Sequence, residues 1–432
     1  MQSIRLMLAI WRKTFYPLRF ANLRIYLGGQ AISLIGTWLQ ITAQSLLVYK
    51  LSHGSAAALG IVAIVGAFPM LVFSLWIGPL TERFDRRKLL IATQIGEMLL
   101  AFILAWLVQS GQAQLWHVYI LAFSLGTLES IVFPNQQAFF SDVVGIDQIR
   151  QALTLNGMII NVSRAAGPAA AGLIIGSFGL ATTFWLNGLS FLAVIASLLL
   201  IRLVTDKLEV VTRYPTATLG GGLRFIRHHP QVRNIVLSVA LLNAFGLSVY
   251  AIAPAIVAGS ATNTGYLLGA AGGGSLFSVF FVMPFVNHFR RMGVVLSGSL
   301  VWMGLCLILL SRSEWFPLSA FAIFLAGIAT PVVWVGSLGL LQVIPPQNMR
   351  TRMLAMFSIV SFGVQPIAAL LVGSIADRIS PPTAVFLSSL TMTLLGLSML
   401  LQGSWRNWQI EQTSTSHGEN QASSASAELS QL

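Results

Sequence analysis

The sequence predicts an all-α integral membrane protein of twelve transmembrane helices, arranged as two six-helix halves with weak internal repetition. Three observations predict it. Of 432 residues, 56% are hydrophobic and only 9% charged, with mean hydropathy +0.79, more apolar surface than one or two water-soluble domains of this size bury. Apolar runs long enough to cross a hydrocarbon core of ~30 Å, which takes roughly 20 helical residues, recur twelve times. Finally, Pro79, Phe84 and Arg86 recur 205 positions later as Pro284, Phe289 and Arg291, and Gly172, Thr182 and Leu186 recur 201 positions later as Gly373, Thr383 and Leu387. A shared offset in register with the six-span counts points to duplication, with a substrate site between the halves near the midplane.

Taken in order, residues 1–21 are a basic lead-in. Arg5, Arg12, Lys13 and Arg19 interrupt it, and the apolar run 6–11 is too short for a cleavable signal. The first six spans are 22–49, 55–80, 88–110, 115–141, 150–178 and 180–202, forming an N-terminal bundle over 22–202. A polar linker, 203–231, leads to spans 232–259, 263–287, 292–311, 315–342, 351–377 and 381–402, the C-terminal bundle over 232–402. The tail, 403–432, is rich in Ser, Gln and Glu without hydrophobic periodicity and is expected to be disordered.

Orientation follows from lysine and arginine. Of 25, 21 fall on the side of the termini and the linker, while Lys50, Arg312 and Arg378 fall on the other and Arg164 lies within a span. That bias places both termini and the linker in the cytoplasm. The net charge of +12, which would suggest nucleic acid in a soluble protein, reads here as a topology signal, so no nucleic-acid partner is expected. One cysteine, Cys306, excludes an internal disulfide and any multi-cysteine metal site. No nucleotide-binding loop, metal-ligand cluster or nucleophile–base arrangement occurs. The chain is therefore expected to be neither an enzyme nor a cofactor- or metal-binding protein, and its energy would come from an ion gradient.

Glu97, Glu129 and Arg164 are the only Asp, Glu, Lys or Arg residues deep within the spans. Each costs at least ~2.5 kcal/mol at the bilayer centre unless partners or water compensate. Counted from the turn near Ile146 at ~1.5 Å per residue, Glu129 and Arg164 reach similar depth on consecutive antiparallel spans, and an ion pair is expected between them. Two readings stand: Glu129 or Glu97 carries a proton under the influence of Arg164, or the pair is purely structural. Glu97 is expected to lie shallower.

In the first span, Gln30, Ser33, Thr37, Gln40 and Gln44 repeat at spacings of 3, 4, 3 and 4, one helical face. That face lines either the central cavity or a neighbouring helix. Similar faces run through Gly157, Asn161, Arg164 and Pro168, through Asn243, Gly246, Tyr250 and Pro254, and through Ser358, Ser361 and Gln365. Candidate substrate contacts are thus Gln30, Ser33, Thr37, Gln40, Gln44, Asn161, Asn243, Tyr250 and Gln365. Pro134, Pro168, Pro254, Pro331 and Pro366 fall within spans, where they introduce bends.

Between the second and third spans, six of seven residues from Glu82 to Lys88 are charged. The stretch Gly78-Pro79-Leu80-Thr81-Glu82-Arg83-Phe84-Asp85-Arg86-Arg87-Lys88 resembles the cytoplasmic signature of the major facilitator superfamily, G-x-L-a-D-R-x-G-R-R/K, with Glu82 in place of the usual Asp. The resemblance implies a conformational latch of Gly78, Glu82, Arg83, Asp85, Arg86 and Arg87. Glu82 would face the start of the eleventh helix, and Arg83 and Arg86 would face Asp142. Gly167-Pro168-Ala169-Ala170-Ala171-Gly172 looks like the G-P-x-x-x-G element of drug–proton exporters. With Asn22-Leu23-Arg24-Ile25-Tyr26, Ser33-Leu34-Ile35-Gly36-Thr37-Trp38-Leu39-Gln40, Asn161-Val162-Ser163-Arg164 and Gly222-Leu223-Arg224-Phe225-Ile226-Arg227-His228-His229-Pro230, these stretches resemble the enterobactin-exporter-like and macrolide-efflux-like branch over about residues 18–402.

The resemblance implies a major facilitator fold and alternating access. The expected protein is a monomeric, multi-pass secondary transporter of the bacterial cytoplasmic (inner) membrane, partnered by protons, lipid and a small molecule. It would export an amphipathic or siderophore-like substrate, with Glu129, Arg164 and Glu97 in proton coupling. A lipid or lysophospholipid translocator of the same fold, or a membrane sensor without transport, are the other readings.

Overall fold

The computed structural model describes residues 16–81, 84–145, 148–201, 219–286, 289 and 291–408. Among these, twelve helices are long and apolar enough to cross a membrane. They are α1 (Ala21–Leu51), α2 (Ala56–Thr81), α3 (Arg86–Gln109), α4 (Leu115–Val144), α5 (Ile149–Phe178) and α6 (Leu180–Leu200), then α7 (Pro230–Ala251), α8 (Ala261–Val286), α9 (Met292–Arg312), α10 (Phe316–Val343), α11 (Gln347–Arg378) and α12 (Pro381–Leu401). Twelve passes return the chain to the side on which it starts. We call that side, with residues 16–21 and 402–408, the terminal face, and the opposite side the far face.

Local chemistry sets the helix ends. Asp85 caps α3, its carboxylate accepting from the Lys88 amide at 2.9 Å, so the acid of the loop signature that lies among the described residues starts a helix. Gly179, at φ +83°, makes the single-residue turn from α5 to α6, a backbone conformation that costs an L side chain energy. Four of the five sequence-predicted prolines stand inside α4, α5, α10 and α11. The fifth, Pro254, begins a separate short turn, Ala253–Ile256, after α7 has ended. Two π-helical segments, Leu242–Leu247 in α7 and Ser278–Val282 in α8, widen the helices locally.

Between α6 and α7 the described part of the linker is not purely polar coil. Leu219–His228 is helical, Ile226 is buried, and Gly222 lies against Met353 and Met356 of α11. His228 and His229 are exposed, and their ring nitrogens bond carbonyls of their own helix. The tail also departs from the expectation of disorder at its start. Gly403–Arg406 forms a turn in which Trp405 is buried, donates to Ser297 Oγ at 2.8 Å and stacks on Trp408. A buried aromatic with its N–H satisfied anchors this segment to α9; residues 409–432 lie outside the described residues.

The terminal-face end of the first half packs around Leu23, Tyr26, Phe139, Phe140 and Leu198. Tyr26 stands edge-on to Phe139 and Phe140 at 5.3 and 5.4 Å, and its hydroxyl accepts from Gln136 at 3.2 Å. Toward the far face the first and second halves touch along two seams. In one, α5 meets α8 so closely that a Cβ on Gly265 would stand 2.5 Å from the Pro168 carbonyl and 2.6 Å from Gly172 Cα. In the other, Gly60 of α2 lies against the backbone at Leu370 and Gly373 of α11 against that at Ala56. Small residues let backbones approach where lipid supplies no hydrophobic drive between helices.

One carboxylate fastens the second seam. Asp377, near the end of α11, accepts from the Ser55 hydroxyl at 2.6 Å and from the amides of Ala56 and Ala57 at 2.6 and 3.1 Å. Ser55 Oγ in turn accepts from the Ala58 amide at 3.2 Å. The first turn of α2, whose amides have no helical partner, is thus capped by a residue from the other half of the chain.

Candidate functional site

Above the terminal-face core and below the two seams lies a cavity of about 410 Å³, lined by both halves. Of the α1 stripe, Thr37, Gln40 and Gln44 line it, whereas Gln30 and Ser33 do not. The lower part of α1 faces the packed cluster around Tyr26 and Leu27, and Ser33 is buried. Gln40 Oε1 accepts from Asn187 of α6 at 2.7 Å, and Asn187 meets Ser190 at 3.2 Å, so one stripe both lines the cavity and bonds a neighbouring helix. Asn187 also reaches the cavity; it is the one side-chain amide on its span, and only that marks it in the sequence.

Tyr250 and Gln365 line the cavity from α7 and α11. Asn161 and Asn243 do not: their side-chain amides bond the carbonyls one turn back, Gly157 and Val239, each at 2.8 Å. For Asn243 the cause is the π segment. It consumes an extra residue in its turn, so spacings of 3 and 4 no longer mark one face of α7.

All three intramembrane charges line the cavity, but Glu129 and Arg164 do not pair. The described residues contain one ion pair, Arg86–Asp142. Consecutive antiparallel helices were expected to be neighbours, yet α4 packs chiefly on α2 and α3, while α5 packs on α1 and α8. Glu129 accordingly faces Glu97, and the two carboxylates interact electrostatically. Gln94 donates to Glu97 Oε2 at 3.0 Å, and Glu97 Oε1 is buried without a partner. Measured from their helix ends at ~1.5 Å per residue, the two acids differ in depth by about 6 Å, one turn, so Glu97 shares the cavity. The Arg164 guanidinium instead lies 5.2 Å from the Trp38 ring, a cation–π distance.

Two large aromatics of the spans stay outside the site: Phe133 packs edge-on to Phe362 and Trp334 on Phe357, and neither reaches the cavity. In the exporter-like element, Gly167 and Gly172 are five residues apart and point different ways. Gly167 lies against Trp38 of α1 and Gly172 against Gly265 of α8, with Pro168 at the cavity wall between them.

At the terminal face, Arg86 reaches both oxygens of Asp142 at 3.1 and 3.2 Å, and Arg87 donates to the Leu199 carbonyl at 2.7 Å. The start of α3 is thereby tied to the ends of α4 and α6. Gly78 stands in the last turns of α2; Glu82 and Arg83 lie outside the described residues.

A family model described as transmembrane secretion effector matches residues 12–429. The chain belongs to this family, a branch of the major facilitator superfamily. Among its relatives, the staphyloferrin A transporter of Staphylococcus aureus is 30% identical over 51% of this chain and 56% of its own. Macrolide efflux protein A of Streptococcus pyogenes is 24% identical over 85% of this chain and 91% of its own. The chain spans about half the length of the first of these, and of a transporter of Bacillus subtilis that it matches over 53% of that protein's length. Among solved structures, the D-xylose–proton symporter superposes with a TM-score of 0.67 at 14% identity, covering 88% of this chain and 97% of its own. A nucleoside transporter superposes at 0.70, with 9% identity over 87% of this chain and 99% of its own. These likenesses show the major facilitator fold.

Proposed function

We propose that the protein is a proton-coupled exporter of the bacterial cytoplasmic membrane, moving a small amphipathic or siderophore-like molecule by alternating access. The observation that carries this reading is the meeting of Glu97 and Glu129 at one cavity wall with no ion pair to either among the described residues. Two facing carboxylates are the chemistry of a site that loads and unloads protons, and the cavity beside them lies in the range that holds drug-sized ligands. The lysine and arginine bias makes the terminal face cytoplasmic. The far-face seams then close the cavity to the outside, the state in which an exporter collects cargo. Relatives named for macrolide efflux and siderophore transport support export of such molecules. The working unit is a monomer in lipid, and the loop around Arg86 and Asp142 guards the switch between states.

Everted vesicles from cells with and without the protein test this. A panel of macrolides, amphipathic dyes and iron-free siderophores is expected to show uptake driven by an imposed pH gradient. Glu97→Gln and Glu129→Gln are each expected to remove the gradient dependence while leaving downhill movement. Movement indifferent to the gradient, or unchanged in both variants, rules out antiport and favours the lipid translocator.

A further inference from the structure

The cavity has a second pole, built from hydrogen-bond donors that the protein leaves unused. Arg164 Nε, the Tyr250 hydroxyl and Thr330 Oγ1 are all buried and all belong to cavity-lining residues; Arg164 Nε has no hydrogen-bond partner, and the phenol and the threonine hydroxyl have none apart from a weak contact with each other. They are close to one another: Arg164 and Tyr250 interact electrostatically, and Thr330 stands beside the phenol. Neither Glu97 nor Glu129 forms an ion pair with the guanidinium. Leaving buried donors unsatisfied is costly, and a cation within a membrane helix calls for an acid or a cavity to compensate. Three such donors gathered beside one cavity are not explained by packing, because a Phe or a Val would fill the places of Tyr250 and Thr330 without the cost. Arg164 stands on α5 of the first half; Tyr250 and Thr330 stand on α7 and α10 of the second.

We infer that Arg164, Tyr250 and Thr330 form a subsite for an anionic oxygen group of the cargo, so that the transported molecule is an amphiphile bearing a carboxylate or a group of the same charge. This deepens the export reading and rests on it for the word cargo. A guanidinium with an adjacent phenol and hydroxyl matches a carboxylate in charge and in donor number. The acid pair on α3 and α4 is left free for protons. Because the three donors come from both halves, an anion held there bonds to both at once and draws the halves together around it.

The test uses the purified full-length protein in nanodiscs and a matched probe pair, dansyl-phenylalanine and its uncharged carboxamide, followed by dansyl fluorescence. The carboxylate is expected to bind at least about tenfold more tightly than the amide. Arg164→Gln is expected to abolish that preference, a loss of between about 10- and 100-fold in carboxylate affinity, the span a charged hydrogen bond carries, with amide binding unchanged. Tyr250→Phe and Thr330→Val, which keep shape and fold, are each expected to lower the preference by several fold; Arg164→Lys retains part of it. Equal binding of the two probes, a preference that survives both Arg164→Gln and Tyr250→Phe, or no saturable carboxylate binding up to about 1 mM overturns the inference. Its failure is distinguishable from that of the export reading. Gradient-driven uptake of uncharged or cationic panel members without carboxylate preference overturns this subsite alone. Carboxylate preference without gradient-driven uptake overturns proton coupling alone.

Discussion

Replacing Asp377 by Ala removes the cap that α11 places on α2. Three hydrogen bonds are lost, two of them to first-turn amides at 2.6 and 3.1 Å and one to the Ser55 hydroxyl at 2.6 Å. Loss of a capping side chain costs about 0.5–2 kcal/mol. Asp377 is exposed to solvent, so water replaces part of what is removed, and about 1 kcal/mol is the appropriate figure. These bonds exist only while the α2–α11 seam is shut, so the whole loss falls on the sealed state. It shifts the ratio of sealed to open far faces by about fivefold. The readout is the distance distribution between spin labels on cysteines at Ser52 and Ile379, in a Cys306→Ser background. Asp377→Asn, which keeps one acceptor oxygen, is expected to give an intermediate shift. Glu314→Ala, an acid on the same face without such bonds, is expected to leave the ratio unchanged. A ratio altered by less than twofold in Asp377→Ala, or altered equally by Glu314→Ala, would refute the reasoning.

Gly265→Ala puts a methyl group against the Pro168 carbonyl and Gly172 Cα, which are backbone atoms that cannot swing aside. It is expected to cost about 1–3 kcal/mol, read as a lower unfolding temperature in detergent and a loss of cross-linking between Ala169 and Gly269 replaced by cysteines. The Arg86–Asp142 pair is about one-third exposed on each side, so a double-mutant cycle with Arg86→Ala and Asp142→Asn is expected to give a coupling of only about 0.5–1 kcal/mol, smaller at high salt; a coupling above twice that range refutes this solvent-screened description. Asn187→Leu strands Gln40 Oε1, which is otherwise satisfied at 2.7 Å, at a cost of about 1–3 kcal/mol; the paired Gln40→Leu, Asn187→Leu variant is expected to recover most of it in thermal unfolding.

The twelve spans were legible because bilayer thickness writes itself into every helix as a length of apolar sequence. Depth could be counted from a turn, and Glu129 and Arg164, expected at similar depth, both line the cavity. Partnership was not. Hydropathy does not say which helix lies beside which, and the packing of α4 on α2 and α3 gave Glu129 a carboxylate for a neighbour. The face of α7 was misread at Asn243 for a different reason, since a π turn breaks the periodicity from which faces are inferred. Asp377 left no signal at all: an acid at the end of a span looks like any interfacial charge until the start of α2 is seen against it.

Glu97, Glu129 and Arg164, the three charges deep within the spans, stand on α3, α4 and α5, while the second half contributes hydroxyls, an amide and one aromatic ring to the same cavity. If the two acids carry protons as proposed, such a partition lets lineages alter the cavity by drift along α7, α8, α10 and α11 without touching α3 or α4. A selection experiment for altered specificity should therefore gather its mutations in the second half and spare α3 and α4.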